Sequence, residues 1–206
     1  MINGSNSFSH LPKKERIIAS AEYLFARRGY HNISIREIAK CSRLNSAMVN
    51  YYFVSKENLL LEILNSYKMG MEELENKVNQ KSNVWEAIKE YVNHISNFLI
   101  SSGNSLRIIY HELLFPVSGR SIDIVNDMLA KQRLIFDNIF ISPPGLAFTQ
   151  KEIDCLYCLA TGGINSYLLG TAQLNSKEEL VNEFLKTKTF LLEQIKYALR
   201  KKLSTD

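Results

Sequence analysis

The sequence predicts an all-α protein, with a small N-terminal head of three helices and a larger C-terminal helical bundle. Three observations carry this. Gly (9) and Pro (4) together make up about 6% of the 206 residues, half the usual roughly 12%. Neither residues 13–115 nor 145–206 contain a proline, whereas turn-rich β architectures punctuate more often. Apolar residues recur at i, i+3, i+4 and i+7 along most of the chain. Hydrophobic residues are 46% and charged residues 22%, the balance of a soluble globular protein large enough to bury a core unaided. Collagen-like, wholly disordered and disulfide-stapled classes are excluded.

Met1 to His10 has no positive start and no apolar run. The expectation there is a Ser/Asn-rich disordered tail over 1–11 and no signal peptide. Lys13 to Arg28 then reads as an amphipathic helix, with Ile17, Ala21, Leu24 and Phe25 on one face. Arg27 and Arg28 suit its dipole, and Gly29 supplies a stop. Ser34-Ile35-Arg36-Glu37 is a capping box that starts a short second helix ending near Cys41. After a tight turn at Ser42-Arg43-Leu44, Asn45 caps a third helix from Ser46 to Tyr52. Met48, Val49 and Tyr52 are expected to point inward, leaving Ser46, Ala47, Asn50 and Tyr51 outside. That outer set is small or hydrogen-bonding and has no acidic residue. Ser55 caps a fourth helix with Lys56 in its first turn, running on through Met71, Leu74 and Val78.

Charge is unevenly distributed. Residues 1–56 hold nine Lys/Arg and three Asp/Glu, while 57–206 hold 16 basic and 18 acidic residues. A basic N-terminal quarter suggests a polyanion-binding head, or simply a solvated face. Two short helices joined by a tight turn form a helix-turn-helix. Its second helix enters the major groove, where Asn can pair with adenine in bidentate fashion. Helix-start amides and nearby Lys or Arg grip phosphates.

The run from Arg16 to Leu60 resembles the DNA-binding head of the TetR family of bacterial transcriptional regulators. The matching pieces are Ile17-Ile18-Ala19-Ser20-Ala21 with Leu24-Phe25, Gly29-Tyr30, and Ser34 through Ala39. They continue with Tyr51-Tyr52-Phe53 and Ser55-Lys56-Glu57-Asn58-Leu59, in the family's order and spacing. The resemblance covers about 45 residues, under a quarter of the chain. It implies a homodimeric regulator, read first as a repressor, that binds a palindromic double-stranded DNA operator through residues 12–56 and is released from it by an effector. Residues 57–206 would bind a small-molecule effector and form the dimer. The resemblance places Lys56 on a phosphate, and Tyr51 and Tyr52 on phosphates or base methyls. Asn45, Ser46 and Ala47 fall at the start of the recognition helix, and Ser34 both caps and touches phosphate. Tyr52 has core packing as its alternative, and Ser34 has capping alone. Two positions depart from the family. Arg43 stands where Gly is usual, so it is strained if φ is positive, or the turn is rebuilt and Arg43 reaches DNA. Asn50 stands where Tyr is frequent and is itself able to read adenine.

Further helices are expected over Trp85–Leu99, Leu106–Phe115 and Ile122–Phe140, then from a Thr149/Glu152 capping box to about Ala172, and from Ser176 to near Lys202. Leu156, Ala160, Gly163, Ile164 and Tyr167 form an apolar strip with small residues at its centre. With Phe184, Leu191 and Ile195 it is the candidate dimer interface, the alternative being an ordinary intrachain core. The candidate effector pocket draws on Tyr91, His94, Phe98, Tyr110, His111, Phe115, Phe136 and Tyr157, which suit an apolar or aromatic effector.

The uncharged stretch Cys155–Ser176 contains Thr161, Asn165, Ser166, Gln173 and three glycines, so it reads as a buried helix rather than a membrane span. Three cysteines fit a reducing cytoplasm. Cys155 and Cys158 form a CxxC with no second pair to complete a zinc site, and buried packing is the expectation for both. No metal, cofactor or catalytic constellation is read, so the chain is not expected to be an enzyme. Control by redox or by a protein partner remains an alternative, with a thiol enzyme a remote one.

Overall fold

The computed structural model describes Phe8, residues 10–101, 104–141, 148–163, Asn165 and 177–203. Among these residues the chain is helical throughout. Its elements are α1 (Lys13–Arg28), α2 (Ile35–Cys41), α3 (Ser46–Phe53), α4 (Lys56–Asn79), α5 (Val84–Ser101), α6 (Ser105–Leu114), α7 (Gly119–Ile141) and α8 (Gln150–Tyr157). A π-helical turn (Cys158–Gly162) follows α8, and α9 spans Lys177–Leu203. No helix among the described residues is long and apolar enough to cross a membrane. The expected tail over 1–11 lies outside the described residues apart from Phe8, His10 and Leu11, as does the Ser176 cap.

The boundaries follow local chemistry. Gly29 ends α1 at φ +76°, donating its N–H to the Phe25 carbonyl at 2.8 Å. In the first capping box the Ser34 Oγ accepts from the Glu37 N–H and the Glu37 carboxylate accepts from the Ser34 N–H. Thr149 and Glu152 repeat the device at α8. The Ser55 Oγ accepts from the Asn58 N–H at the start of α4. Pro116 stands just beyond α6, as expected of a helix breaker.

Compactness divides the chain into Met1–Gly70 with Ser102–Leu129, and Met71–Ser101 with Ala130–Asp206. In the first unit α1 packs on α2 and α6. Ile17, Ala21 and Phe25 of α1, Ile38 of α2, Val49 and Phe53 of α3, and Leu59, Leu60 and Ile63 of α4 are buried there. In the second unit α9 packs on α5 and on the π-helical turn. Its core holds Ile88, Tyr91, Phe136, Phe184 and Ile195.

Candidate nucleic-acid interface

The turn between α2 and α3 sets the geometry of the head. The Leu44 N–H donates to the Ala39 carbonyl at 2.9 Å, and the Arg43 N–H to the Lys40 carbonyl at 3.2 Å. These six-to-one and five-to-two bonds are the Schellman motif, which needs a left-handed residue after the cap. Arg43 is that residue, at φ +54°. The turn is therefore kept rather than rebuilt, and an exposed Arg occupies the conformation that glycine favours. Ser42 is buried and donates its hydroxyl to the Ala39 carbonyl.

Beyond the turn, the Asn45 Oδ1 accepts from the Met48 N–H at 2.9 Å. The amide of Asn45 thus starts the helix rather than projecting from it. On α3, Ala47, Asn50 and Tyr51 are exposed, Tyr51 at 78%, and Ser46 is half-buried. Val49 and Phe53 are buried, while Met48 and Tyr52, both expected inside, are only half-buried. The Tyr52 ring lies edge-on to Tyr51 at 5.3 Å. Arg43, Ala47, Asn50 and Tyr51 are thus exposed on and before α3, a helix with no acidic residue, and Ser34 is exposed at the start of α2.

The joint between α3 and α4 was not foreseen. Val54 has φ +63° and ψ −44°, and the Ser55 N–H donates to the Phe53 carbonyl at 2.6 Å. That is a γ-turn, a strained conformation that is unusual for a β-branched residue. Only the shortness of the link between Phe53 and the Ser55 cap signals it in the sequence.

Lys56 has an unexpected set of partners. Its ammonium donates to the Tyr30 carbonyl at 2.9 Å and to the Ile33 carbonyl at 2.8 Å, and sits 3.9 Å from the centroid of the Tyr30 ring. Burial holds its pKa below the usual lysine value. Two of three donors are thereby occupied in clasping the turn between α1 and α2, leaving one for another acceptor. Arg28 reaches Glu37 at 2.7 Å, and the capping bonds with Ser34, together with Arg28, pull the Glu37 pKa down to about 2. Arg36 and Lys40 are exposed on α2. Neither was singled out from sequence, although both contribute to the basic balance of the head.

The effector candidates are divided between the two units. Tyr110, His111 and Phe115 belong to the first unit, and Tyr91, His94, Phe98, Phe136 and Tyr157 to the second. In the first, His111 and the largely exposed Phe115 line a cavity of about 260 Å³ together with Phe25, Gly29 and Tyr30. In the second, Phe136 meets Tyr91 and Tyr157 edge-on and Phe140 at a tilt, at centroid distances of 5.0–5.3 Å. Tyr91 and Phe136 are fully buried, so they form core rather than an open lining. The Tyr91 hydroxyl is buried, and burial raises its pKa well above the usual value.

Most of the expected dimer strip is covered within its own chain. Leu156, Ala160, Phe184, Leu191 and Ile195 are buried within a single protomer. A Cβ on Gly163 would meet the Leu191 methyls at 3.0 and 3.1 Å, so the close approach that glycine permits is to α9 of its own chain. Apolar periodicity names a buried face but not what covers it. Among the described residues Gly162 has no such neighbour. Ile164 and Tyr167 lie outside the described residues. Among the described side chains, α9 exposes Leu185, Phe190 and Tyr197.

Cys155 and Cys158 also depart from expectation. Both are exposed rather than packed. Among the described residues no cluster of three or more His, Cys, Asp or Glu could hold a metal.

Comparison with known proteins follows the head. Residues 17–63 match the family model for bacterial regulatory proteins of the tetR family. The probable HTH-type transcriptional regulator YttP of Bacillus subtilis is 30% identical over 130 residues, 61% of this chain and 62% of YttP. The chain therefore spans less than two thirds of that relative's length. A transcriptional regulator from Aquifex aeolicus superposes with TM-score 0.69 at 20% identity, over 91% of this chain and 99% of that one. The regulator FadR of Bacillus subtilis, solved with stearoyl-CoA, superposes with TM-score 0.64 at 19% identity, over 86% and 97%. At those identities the two structures establish the shared fold.

Proposed function

We propose that this chain, which belongs to the TetR family of bacterial regulatory proteins, is a DNA-binding transcriptional regulator and not an enzyme. In this reading residues 12–56 are the reading head and 57–206 the effector-binding and dimerising part. The observation that carries it is the exposure of Arg43, Ala47, Asn50 and Tyr51 on and before α3, a helix with no acidic residue. Small residues admit the backbone to the major groove, Asn50 is suited to an adenine edge, and Arg43 to a guanine or a phosphate. Ser34, Ser46 and the half-buried Tyr52 flank that surface. The third donor of Lys56 is available to a phosphate.

Two heads would read a palindrome with half-sites about 34–36 Å apart. The exposed Leu185, Phe190 and Tyr197 of α9 are the apolar side chains offered to a second copy. The effector in this reading is apolar or aromatic, and it displaces α4 so that the two recognition helices no longer match the half-sites. The aromatic cluster around Phe136 supports an apolar ligand, as does the acyl-CoA bound by FadR. Whether the protein represses or activates is decided by operator position.

The test is titration of a labelled duplex from the chain's own upstream region across a salt series. Saturable binding whose log K falls steeply with log salt supports the reading, because released counterions report neutralised phosphates. Binding that stays flat with salt, or no binding at low salt, refutes it. Addition of long-chain acyl-CoA or aromatic cations to the bound complex tests the effector class, and unchanged affinity with every one refutes an apolar effector.

A further inference from the structure

The cavity of about 260 Å³ in the first unit is lined by a carboxylate that the fold uses only in part. Its lining belongs wholly to that unit, and none of it lies on α8 or α9. Phe25, Leu60 and Ile108 supply apolar walls and are buried. Glu112, on α6, is also part of the lining and is 3% exposed. Its Oε1 accepts from the Val117 N–H at 2.8 Å and from the Ser121 hydroxyl, which ties the end of α6 to the start of α7. Among the described residues its Oε2 accepts no hydrogen bond, and no Lys, Arg or His forms an ion pair with the carboxylate. Buried charges are as a rule paired, because an uncompensated one is costly. A buried carboxylate with a spare oxygen beside an open space is matched by a cation that comes from outside the chain.

The remaining groups of the lining suit the same guest. The Tyr30 hydroxyl has no hydrogen-bond partner among the described residues. Burial raises its pKa, and the carboxylates of Glu57 and Glu112 raise it further, so two negative charges act at this hydroxyl. Arg28 is committed to Glu37 at 2.7 Å and to the Asn32 carbonyl at 3.1 Å. Lys56 is held on the Tyr30 and Ile33 carbonyls and does not line the cavity. His31 and His111 are the other titratable side chains of the lining. Phe115 is 67% exposed and meets no other ring among the described residues. An ammonium donates three hydrogen bonds and accepts none, and an aromatic face attracts it. The volume lies just below the roughly 300–1,000 Å³ of pockets for drug-sized ligands, which limits the guest to one ring on a short arm.

We propose that this cavity binds a small primary arylalkylammonium ion, with its ammonium on the Glu112 Oε2 and the Tyr30 hydroxyl and its ring against Phe25, Leu60 and Phe115. The site is separate from the aromatic cluster around Phe136 in the second unit. It also stands apart from the DNA reading, since it needs only the cavity and its unpaired oxygens. The guest and the Lys56 clasp share one turn, because the Tyr30 that lines the cavity also gives Lys56 its carbonyl.

The experiment is isothermal titration of the full chain, without DNA, with 2-phenylethylammonium, 2-phenylethanol and 3-phenylpropionate, which carry a cation, a hydroxyl and an anion on the same ring. The amine is expected to saturate with a Kd of about 1 mM or tighter. It is expected to bind about tenfold more tightly than the alcohol, because hydrogen bonds to a charged group are the stronger kind. The anion is expected not to bind. Glu112→Gln keeps an acceptor for Val117 and Ser121 but removes the charge, so amine affinity is expected to fall about tenfold, to that of the alcohol. Phe115→Ala removes an exposed ring and is expected to weaken the amine about fivefold. Circular dichroism checks the fold of both variants. Should Glu112→Gln unfold, the comparison of guests on the unaltered chain and Phe115→Ala decide the matter. Absence of amine binding, alcohol or anion binding as tight as the amine's, or amine affinity unchanged in folded Glu112→Gln or in Phe115→Ala would each overturn the proposal.

Discussion

Replacing Val54 by Gly removes the least comfortable backbone conformation in the head. Val54 sits at φ +63° with ψ −44° and is 77% exposed. A residue held in such a region costs about 1–3 kcal/mol, and a β-branched side chain offers no local compensation. Glycine relieves that strain but has more freedom to lose on folding, at about 0.5–1 kcal/mol. Since three quarters of the side chain already meets water, the burial forfeited is about 0.5 kcal/mol. The net expectation for Val54→Gly is stabilisation by about 0.5–1 kcal/mol. For a chain of this length that raises the thermal midpoint by about 1–4 °C. Differential scanning calorimetry with parallel urea titration reads it directly. Val54→Ala, which keeps a Cβ, is expected to move the midpoint by less than half as much. Val54→Pro cannot adopt a positive φ and is expected to lower the midpoint sharply. A drop in midpoint for Val54→Gly would show that the γ-turn is not the populated joint, and the strain argument would fail.

Other consequences are as direct. Arg43→Ala keeps the left-handed turn but removes its guanidinium. Operator affinity is expected to fall by about 1–3 kcal/mol if Arg43 reads a base, with the salt slope shrinking by about 1 per head if it holds a phosphate. Unchanged affinity and slope in a fluorescence titration would remove Arg43 from the interface. Lys56→Met loses two charge-assisted bonds to the Tyr30 and Ile33 carbonyls, and should cost about 2 kcal/mol of urea stability even without DNA; a loss of DNA binding alone would mean the clasp contributes nothing. Gly163→Ala gains about 1 kcal/mol of helix propensity but crowds Leu191 at 3.0 Å. It is expected to destabilise the protein as a single change and to stabilise a Leu191→Ala background, and additivity in that double-mutant cycle would refute the contact. The carboxyl of Glu37 has its pKa lowered to about 2 in the folded chain. Its stabilisation is complete above the unfolded pKa of about 4.3 and is lost as pH falls from there toward about 2. Glu37→Gln should flatten that acid limb of urea stability, and an unaltered limb would show that the capping box contributes nothing to it.

The reading surface illustrates how far local signals reach. The Asn45 cap, the Ser34–Glu37 box and the outward set of Ala47, Asn50 and Tyr51 all follow from spacings of three or four residues. The left-handed residue at Arg43 was one of two alternatives, raised because the family that the head resembles usually has glycine there, and the turn at φ +54° is the outcome. Lys56 was legible as a basic residue of the head, but its two carbonyl acceptors lie 23 and 26 residues away along the chain. No spacing rule reaches that far. Arg36 and Lys40 were visible only as members of a charge balance, since which side of a short helix faces outward depends on what packs against it.

By itself, the sequence determined the helices, their caps, the helix-turn-helix and the resemblance of the head to the tetR family. Each of these is written in contacts between near neighbours or in a short ordered motif. Tertiary structure decided which apolar faces were already paired. Leu156, Ala160, Leu191 and Ile195 went to the interior of one protomer, Tyr91 and Phe136 to a closed aromatic core, and the two cysteines to the surface. The physical reason is that helical periodicity says only that a face avoids water. The partner that covers it is chosen by the packing of elements distant in sequence, which no local pattern encodes.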